Sequence, residues 1–478
     1  MKAAQTDFDL AVVGGGPGGY VAAIRAAQLG MKTVLVEKAQ LGGVCLNWGC
    51  IPTKALLRSA DVLRLVRDAA RFGVQVGEPE TDLQTMVARS RSVAAHLNKG
   101  VAYLMKKNKI TVVEGRARLA GRGRLEVEGE GEGKDGKQGK SVITASNIIL
   151  ATGARARVLP GLQPDGESVW SYREALMPRQ TPRRLLVIGA GAIGIEFASF
   201  YRALGAEVRV VEMAERILPV EDEDISAHVA DALRKDGMRL YTGARIASTV
   251  KRDGAAGTGV EWQVTLEGRH TDTLVADVVL VAAGIVGNVE DLGLESTAVK
   301  VERSHIVTDA FGRTGEPGVY AIGDVAGPPW LAHKASHEGV ACVEKIAGLD
   351  PHALDPSKIP ACTYSHPQVA SVGLTEAAAR QAGRRIRVGQ FPFAVNGKAI
   401  ALGATGGFAK VIFDEGSGEL LGAHMVGEEV TEMIQGYAIA RELESTEVEL
   451  MATVFPHPTQ SEVMHEAVLA AYQRGLHG

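Results

Sequence analysis

Cysteine is scarce in this chain, with four residues (Cys45, Cys50, Cys342 and Cys362) in 478. So few in so long a chain exclude the disulfide framework of a small secreted domain. An excess of one charge is also missing, since 52 basic residues face 56 acidic ones for a net charge of −4. That balance gives no footing for nucleic acid or an anionic membrane surface as a partner. No uninterrupted apolar run approaches the roughly 20 residues of a membrane-spanning helix. No signal-like or Arg-rich segment precedes the first strand-like run, Phe8–Val13.

What is present is ordinary globular composition, with 46% hydrophobic and 23% charged residues, at a length too great for a single core. About three domains are expected. Glycine is plentiful at 57 residues, which suits tight turns and close approach of backbone to a ligand.

The strongest organising signal is a duplication. An apolar run ending at Val13 leads into Gly14-Gly15-Gly16-Pro17-Gly18-Gly19, and one ending at Ile188 leads into Gly189-Ala190-Gly191-Ala192-Ile193-Gly194. Each is Gly-x-Gly-x-x-Gly between a strand pattern and a helix pattern. Each is followed by a second strand, Thr33–Val36 and Glu207–Val211, and then by an acid, Glu37 and Glu212. One such turn is weak evidence; the matched strand, helix and acid, twice, point to two dinucleotide-binding units. The glycines admit a pyrophosphate to a helix N-terminus, and each acid can accept from ribose hydroxyls. A carboxylate at Glu212 repels a 2′-phosphate, so NAD is favoured over NADP. The alternative is two Gly-rich turns without a ligand.

Between the repeats lie a helical region, Thr53–Asn108, and short strands over Ile110–Ile149. Gly/Glu/Lys-rich residues Gly129–Lys140 read as a solvated hairpin tip, and Asp253–Gly259 as a similar turn. Pro351, Pro356 and Pro360 punctuate a linker. Strands at Phe408–Phe413 and Leu420–Val426 follow, then helices at Glu429–Leu443 and Glu462–Ala471.

Cys45 and Cys50 belong to Gly42-Gly43-Val44-Cys45-Leu46-Asn47-Trp48-Gly49-Cys50-Ile51-Pro52-Thr53-Lys54. C-x₄-C is not common zinc spacing. Five residues of regular helix rise about 7.5 Å, beyond the roughly 7 Å that a disulfide tolerates between Cα atoms. The pair can bridge only if the helix start is distorted, which Gly49 and Pro52 allow. The segment is either a redox-active disulfide or two unrelated thiols. Cys342 and Cys362 lack a partner pattern and read as buried apolar residues. Near the C-terminus, His457 is followed five residues on by Glu462 at a helix start. A carboxylate on one ring nitrogen raises the basicity of the other, so the pair is either a thiol-deprotonating base or a structural hydrogen bond.

The segment Gly43–Lys54 resembles the redox-active segment of the flavin-dependent pyridine nucleotide–disulfide oxidoreductases. The likeness extends along nearly the whole chain. Ala151-Thr152-Gly153 is similar to the crossover between flavin and nicotinamide domains, and Tyr320–Val325 to the second flavin motif with its Asp324. His457-Pro458-Thr459-Gln460-Ser461-Glu462 is similar to the acid–base motif. The resemblance implies an α/β fold with two Rossmann-like dinucleotide-binding domains and a C-terminal α+β dimerisation domain. It apportions residues 1–150 to FAD, 151–282 to NAD, 283–350 to completing the FAD site and 351–478 to the interface. Cys-Leu-Asn, the segment Leu331–Gly339 and Glu212 favour the branch that oxidises dihydrolipoyl groups.

By that resemblance Cys45 is the interchange sulfur, Cys50 the flavin-side sulfur, and His457 with Glu462 the base. Lys54 lies near the flavin and pairs with Glu196. Cofactor contacts are expected from Gly14, Gly16, Gly19, Glu37, Lys54, Thr152, Gly153, Asp324 and Ala332 for FAD. For NAD they are expected from Gly189, Gly191, Gly194, Glu212 and Gly284; no metal is expected. Where the family often carries Gly-Arg-x-Pro-Asn, this chain reads Gly284-Ile285-Val286-Gly287-Asn288, a departure at the nicotinamide turn. Implied partners are a second copy of the chain and a lipoylated acyltransferase subunit or the lipoyl carrier of glycine cleavage. The implied setting is bacterial cytoplasm, or the mitochondrial matrix for a mature form. A related NAD(P)H-dependent reductase of another small disulfide is the competing enzyme. A non-catalytic scaffold flavoprotein would have no need of Cys45, Cys50 and His457.

Overall fold

The computed structural model describes residues 6–132, 138–253 and 260–477. The chain divides into two compact units. One comprises residues 1–55, 84–157 and 285–354, and the other residues 56–83, 158–284 and 355–478.

In the first unit, parallel strands lie in the order Thr111–Glu114, Thr33–Glu37, Phe8–Val13, Gln138–Leu150 and Val319–Ala321. Apolar runs such as Leu10–Val13 and Ile148–Leu150 are buried, as a parallel sheet covered on both faces requires. Helix Pro17–Gln28 packs against helix Ala332–Ile346, where a Cβ on Gly18 would lie 3.1 Å from the Ala335 carbonyl. The long strand Gln138–Leu150 continues into an antiparallel meander with Arg124–Glu132 and Arg116–Leu119. The tip expected at Gly129–Lys140 lies partly outside the described residues, and the turn at Asp253–Gly259 almost wholly so.

The second unit repeats the parallel plan. Its strands run in the order Arg239–Thr242, Glu207–Glu212, Arg184–Ile188, Val278–Val281, Val169–Trp170. Its C-terminal portion is an antiparallel sheet in the order Ala361–Thr363, Gln368–Gly373, Leu420–Gly427, Phe408–Asp414, Ile386–Pro392. Helix Glu462–Ala471 covers it, and their shared core includes Phe391, Phe413, Met425, Tyr437, Val463 and Val468. Each large apolar side chain buried there contributes about 1.5–3 kcal/mol.

Two local expectations change. The helix expected over Glu429–Leu443 is two pieces, Val430–Met433 and Gln435–Glu442, and Glu429 caps the first in a left-handed conformation at φ +57°. Gly436 lies where a Cβ would come within 2.9 Å of Met464 Cε, so a bare backbone lets this helix approach Met464. Cys342 is fully buried, and burial pushes its thiol up to about 12. Cys362 is only half-buried, because Ala361–Thr363 is an edge strand.

Candidate active site

The two Gly-rich turns assign their three glycines the same jobs. Gly14 (φ +106°) and Gly189 (φ +102°) turn out of their strands, and Cβ atoms there would collide with the carbonyls of Ala151 at 2.2 Å and Ala282 at 2.4 Å. Gly19 and Gly194 press their helix on the turn, where a Cβ would fall 1.8 and 2.0 Å from the carbonyls of Gly14 and Gly189. Gly16 and Gly191 are the N-caps of helices Pro17–Gln28 and Ala192–Ala203, and neither makes a side-chain cap hydrogen bond. The space over them is open: nothing lies within 4 Å of a Cβ on Gly191, and only the Gly43 Cα, at 3.9 Å, near one on Gly16. Open space above the first N–H groups of a helix, which have no partner within it, at a positive helix end fits a dinucleotide pyrophosphate.

Glu37 and Glu212 also match. Glu37 accepts from the Gly15 N–H at 2.6 Å and the Ala39 N–H at 2.8 Å. Glu212 accepts from the Ala190 N–H at 2.7 Å and the Ala214 N–H at 2.8 Å. Each carboxylate is therefore fixed to its turn by both oxygens, with a further lone pair on each oxygen left for a ribose hydroxyl.

Cys45 lies on the short helix Gly43–Trp48 and Cys50 opens helix Cys50–Arg67. Gly49 breaks the path between them at φ −144°, ψ −113°. This distortion, which the five-residue spacing requires, lets the Cys45 thiol hydrogen-bond with Cys50. The two face each other as thiols rather than as a disulfide. That hydrogen bond and burial push the Cys45 thiol up, while the Lys54 charge pulls it down. The start of the segment presses on the first Gly-rich turn: the Gly42 N–H donates to the Gly15 carbonyl at 2.8 Å, and a Cβ on Gly43 (φ +57°) would lie 2.7 Å from the Gly16 Cα.

Asp324 stands in the turn Gly323–Ala326. Burial raises its carboxyl, and Lys334 opposes the rise. Ala332 is the first residue of helix Ala332–Ile346. Buried Lys334 donates to the Gly327 carbonyl at 2.8 Å and pairs with Glu338 at 3.0 Å, and Glu338 accepts from the Gly323 N–H at 2.7 Å. Thr152 and Gly153 are clasped by Asn288. Its N–H donates to the Gly153 carbonyl at 2.9 Å and its amide to the Thr152 carbonyl at 2.8 Å, while the Thr152 hydroxyl donates back to the Asn288 carbonyl at 2.8 Å. The departure after Gly284 thus keeps the residue that ties the crossover.

In the second unit His457 Nδ1 meets Glu462 Oε1 at 2.9 Å, and Glu462 Oε2 accepts from the Thr459 N–H at 2.9 Å. Although burial opposes it, the Thr459 N–H and His457 hold the Glu462 carboxyl below its usual range. Glu462 is thus ionised and fixes His457 with Nε2 outward. The His457 side chain is 79% exposed. Glu196, only 5% exposed, accepts from the Tyr364 N–H at 2.9 Å. Lys54 belongs to the first unit and Glu196 to the second.

Sequence reading missed a buried cluster. Lys410, 2% exposed, bonds Asp222 at 2.8 Å, Asp224 at 2.6 Å and Glu376 at 2.8 Å. It missed Asn288 as a clasp, although the chain carried it, with Gly284, as one of the two surviving members of a family motif. It also missed Arg91, whose Nη1 donates to the Asn47 carbonyl at 2.7 Å.

Comparison with known proteins agrees with this geometry. Residues 8–339 match the family described as pyridine nucleotide–disulphide oxidoreductase, and residues 359–468 match the dimerisation domain of that family. A Rhizobium etli protein named dihydrolipoyl dehydrogenase is 54% identical, over 98% of this chain and 99% of its own. A Bacillus subtilis protein of that name is 43% identical over 99% of each. The crystal structure of LpdA from Mycobacterium tuberculosis superposes with a TM-score of 0.88 at 27% identity, covering 96% of this chain and 99% of that one. The Cu(II) complex of the HOCl-induced flavoprotein disulfide reductase RclA from Escherichia coli gives 0.84 at 26%, covering 97% and 99%.

Proposed function

Because this chain belongs to the pyridine nucleotide–disulphide oxidoreductase family, we propose that it oxidises dihydrolipoyl groups to the lipoyl disulfide at the expense of NAD. The observation that carries the reading is the break at Gly49, which joins the Cys45 and Cys50 thiols on a segment seated against a dinucleotide-type turn.

When bound, FAD supplies the two-electron relay between the dithiol and NAD. The chain's own residues do the thiol chemistry. His457 takes a proton at Nε2 from one substrate thiol, while Glu462 steadies the imidazolium through Nδ1. The substrate thiolate attacks Sγ of Cys45 in the oxidised pair. The Cys45–Cys50 bond breaks and Cys50 leaves as thiolate. The second substrate thiol then attacks the mixed disulfide, releasing Cys45 and the cyclic lipoyl disulfide. Two electrons now reside on the Cys45–Cys50 pair, and the charge of Lys54, which favours a thiolate at Cys45, favours this state. Gly14, Gly16, Gly19, Glu37, Thr152, Gly153, Asp324 and Ala332 would hold FAD. Gly189, Gly191, Gly194, Glu212 and Gly284 would hold NAD, with the Glu212 charge set against a 2′-phosphate.

The match to a dimerisation domain supports a homodimer. Exposed apolar residues of that portion, including Val454 at 92% exposure, and the outward His457 fit a site completed by the second copy. The partners we infer are lipoylated acyltransferase subunits or the lipoyl carrier of glycine cleavage. No helix among the described residues is long and apolar enough to cross a membrane, and the relatives named above are bacterial; both agree with a bacterial cytoplasmic setting. Anaerobic turnover with dihydrolipoamide tests the reading. NAD reduction well above NADP reduction, lost in Cys45→Ser, is expected. NADPH-driven reduction of another disulfide, with no dihydrolipoamide turnover, would overturn it.

A further inference from the structure

The redox segment is gripped from one side by a single helix, Leu83–Lys107. Asn98 donates to the Leu41 carbonyl at 2.5 Å, just before the segment. Arg89 donates to the Ala55 carbonyl at 3.0 Å, just after it. Between them Arg91 donates from Nη1 to the Asn47 carbonyl at 2.7 Å and stacks its guanidinium 5.0 Å from the Trp48 ring centroid. Asn47 and Trp48 are the last two residues before the break at Gly49. Their helix ends there, so the Asn47 carbonyl has no i+4 partner within it, and a cation suits that negative end.

Arg91 is held at a cost. Its Nε and Nη2 are buried without a hydrogen-bond partner. Buried donors are normally satisfied, so polar satisfaction alone does not explain this arginine. What its placement does achieve is to fix both residues on the Cys45 side of the break.

We propose that Arg91 is a positioning residue for the redox pair, holding the end of helix Gly43–Trp48 so that the Cys45 and Cys50 sulfurs stay within bonding reach. The inference rests on those two cysteines being the redox pair. Without Arg91 the helix end loosens, the two thiols meet less often, and the disulfide loses ground to the dithiol. Removing a cation that acted only by charge would do the opposite, since thiolates would be disfavoured and the disulfide would be harder to reduce. The sign of the shift therefore separates the two roles.

The test equilibrates purified holoenzyme with graded ratios of oxidised and reduced dithiothreitol, traps thiols with iodoacetamide and counts them by mass. Wild type should titrate two thiols that vanish in the Cys45→Ser/Cys50→Ser double variant; if it does not, the redox-pair reading itself fails. Arg91→Met should favour the dithiol about tenfold, a potential about 30 mV more positive. Arg91→Lys, which keeps one donor but loses the planar stack, should shift it about threefold, or about 14 mV. It also serves if Arg91→Met does not fold. A normal two-thiol titration in wild type with an unshifted or more negative potential in the folded variants would overturn the proposal, and a lowered unfolding midpoint alone would assign Arg91 a purely structural role.

Discussion

Gly191 and Gly194 stand three residues apart in sequence, and alanine at each should fail differently. Gly191 has φ −75° and nothing within 4 Å of a Cβ. Alanine there folds without strain, and its methyl group occupies only the space where the pyrophosphate would lie. Gly194 is the reverse: its Cβ would stand 2.0 Å from the Gly189 carbonyl. Ordinary contact is restored only if helix Ala192–Ala203 moves about 1.4 Å or more off its turn, a displacement of the kind that costs about 1–3 kcal/mol or more in a packed interior. Gly191→Ala should therefore raise the KM for NAD at least about tenfold, since the helix-end amides lose their approach to the anion. Its unfolding midpoint should not change, and neither should the rate at which dihydrolipoamide reduces the Cys45–Cys50 pair in the absence of NAD. Gly194→Ala should lower the midpoint as well as NAD affinity. The assay is steady-state kinetics against NAD, paired with rapid-mixing measurement of the NAD-independent half-reaction. An unchanged KM in Gly191→Ala would refute the placement of the pyrophosphate at this helix, and loss of both half-reactions would show that the site is not divided as described.

Glu462→Gln removes the charge that fixes His457 and should reduce kcat with dihydrolipoamide about ten- to a hundredfold while leaving cofactor content intact; absorbance of the bound flavin and turnover check both. Lys410→Met leaves Asp222 buried and unpaired, which should cost about 3–5 kcal/mol, read as a lower chemical denaturation midpoint that Asp222→Asn in the same chain partly restores. Glu221 is buried, and desolvation raises its carboxyl to about 6. A raised carboxyl pKa means the folded state binds the proton more tightly, so stability falls as pH rises from about 4.5 to about 6 and stays lower above that. Glu221→Gln should accordingly be more stable than wild type at pH 7–8, by about 2 kcal/mol, with the difference gone below about pH 4.5 in denaturation curves taken across that range.

The parts of the site legible in sequence are those whose chemistry is local. Gly-x-Gly-x-x-Gly with a following acid encodes a turn, a helix end and a ribose acceptor within about one β-α-β unit, and both copies fold as their spacing requires. The five-residue separation of Cys45 and Cys50 demanded a broken helix, and the break stands at Gly49. His457 and Glu462 meet because one turn of chain brings them together. What escaped was assembled by tertiary packing. Lys410 meets Asp222 and Asp224 across 188 and 186 residues, and Asn288 reaches Thr152 across 136. No periodicity marks such meetings. Arg91 reads as one more polar residue on a long amphipathic helix until Asn47 and Trp48 are placed beside it. The acids Glu37 and Glu212 stand at the strand ends where the spacing put them, but their bonds to Gly15 and Ala190 depend on how each strand end abuts its turn.

The most direct test of the account is a thiol count on oxidised holoenzyme before and after one equivalent of dihydrolipoamide, anaerobically and without NAD. The account predicts two new alkylatable thiols located by peptide mass at Cys45 and Cys50, with one equivalent of lipoamide disulfide formed and none in Cys45→Ser. Lipoamide formation with no new thiols at those positions would contradict it, because the electrons would then be entering by a route that bypasses the pair at Gly49.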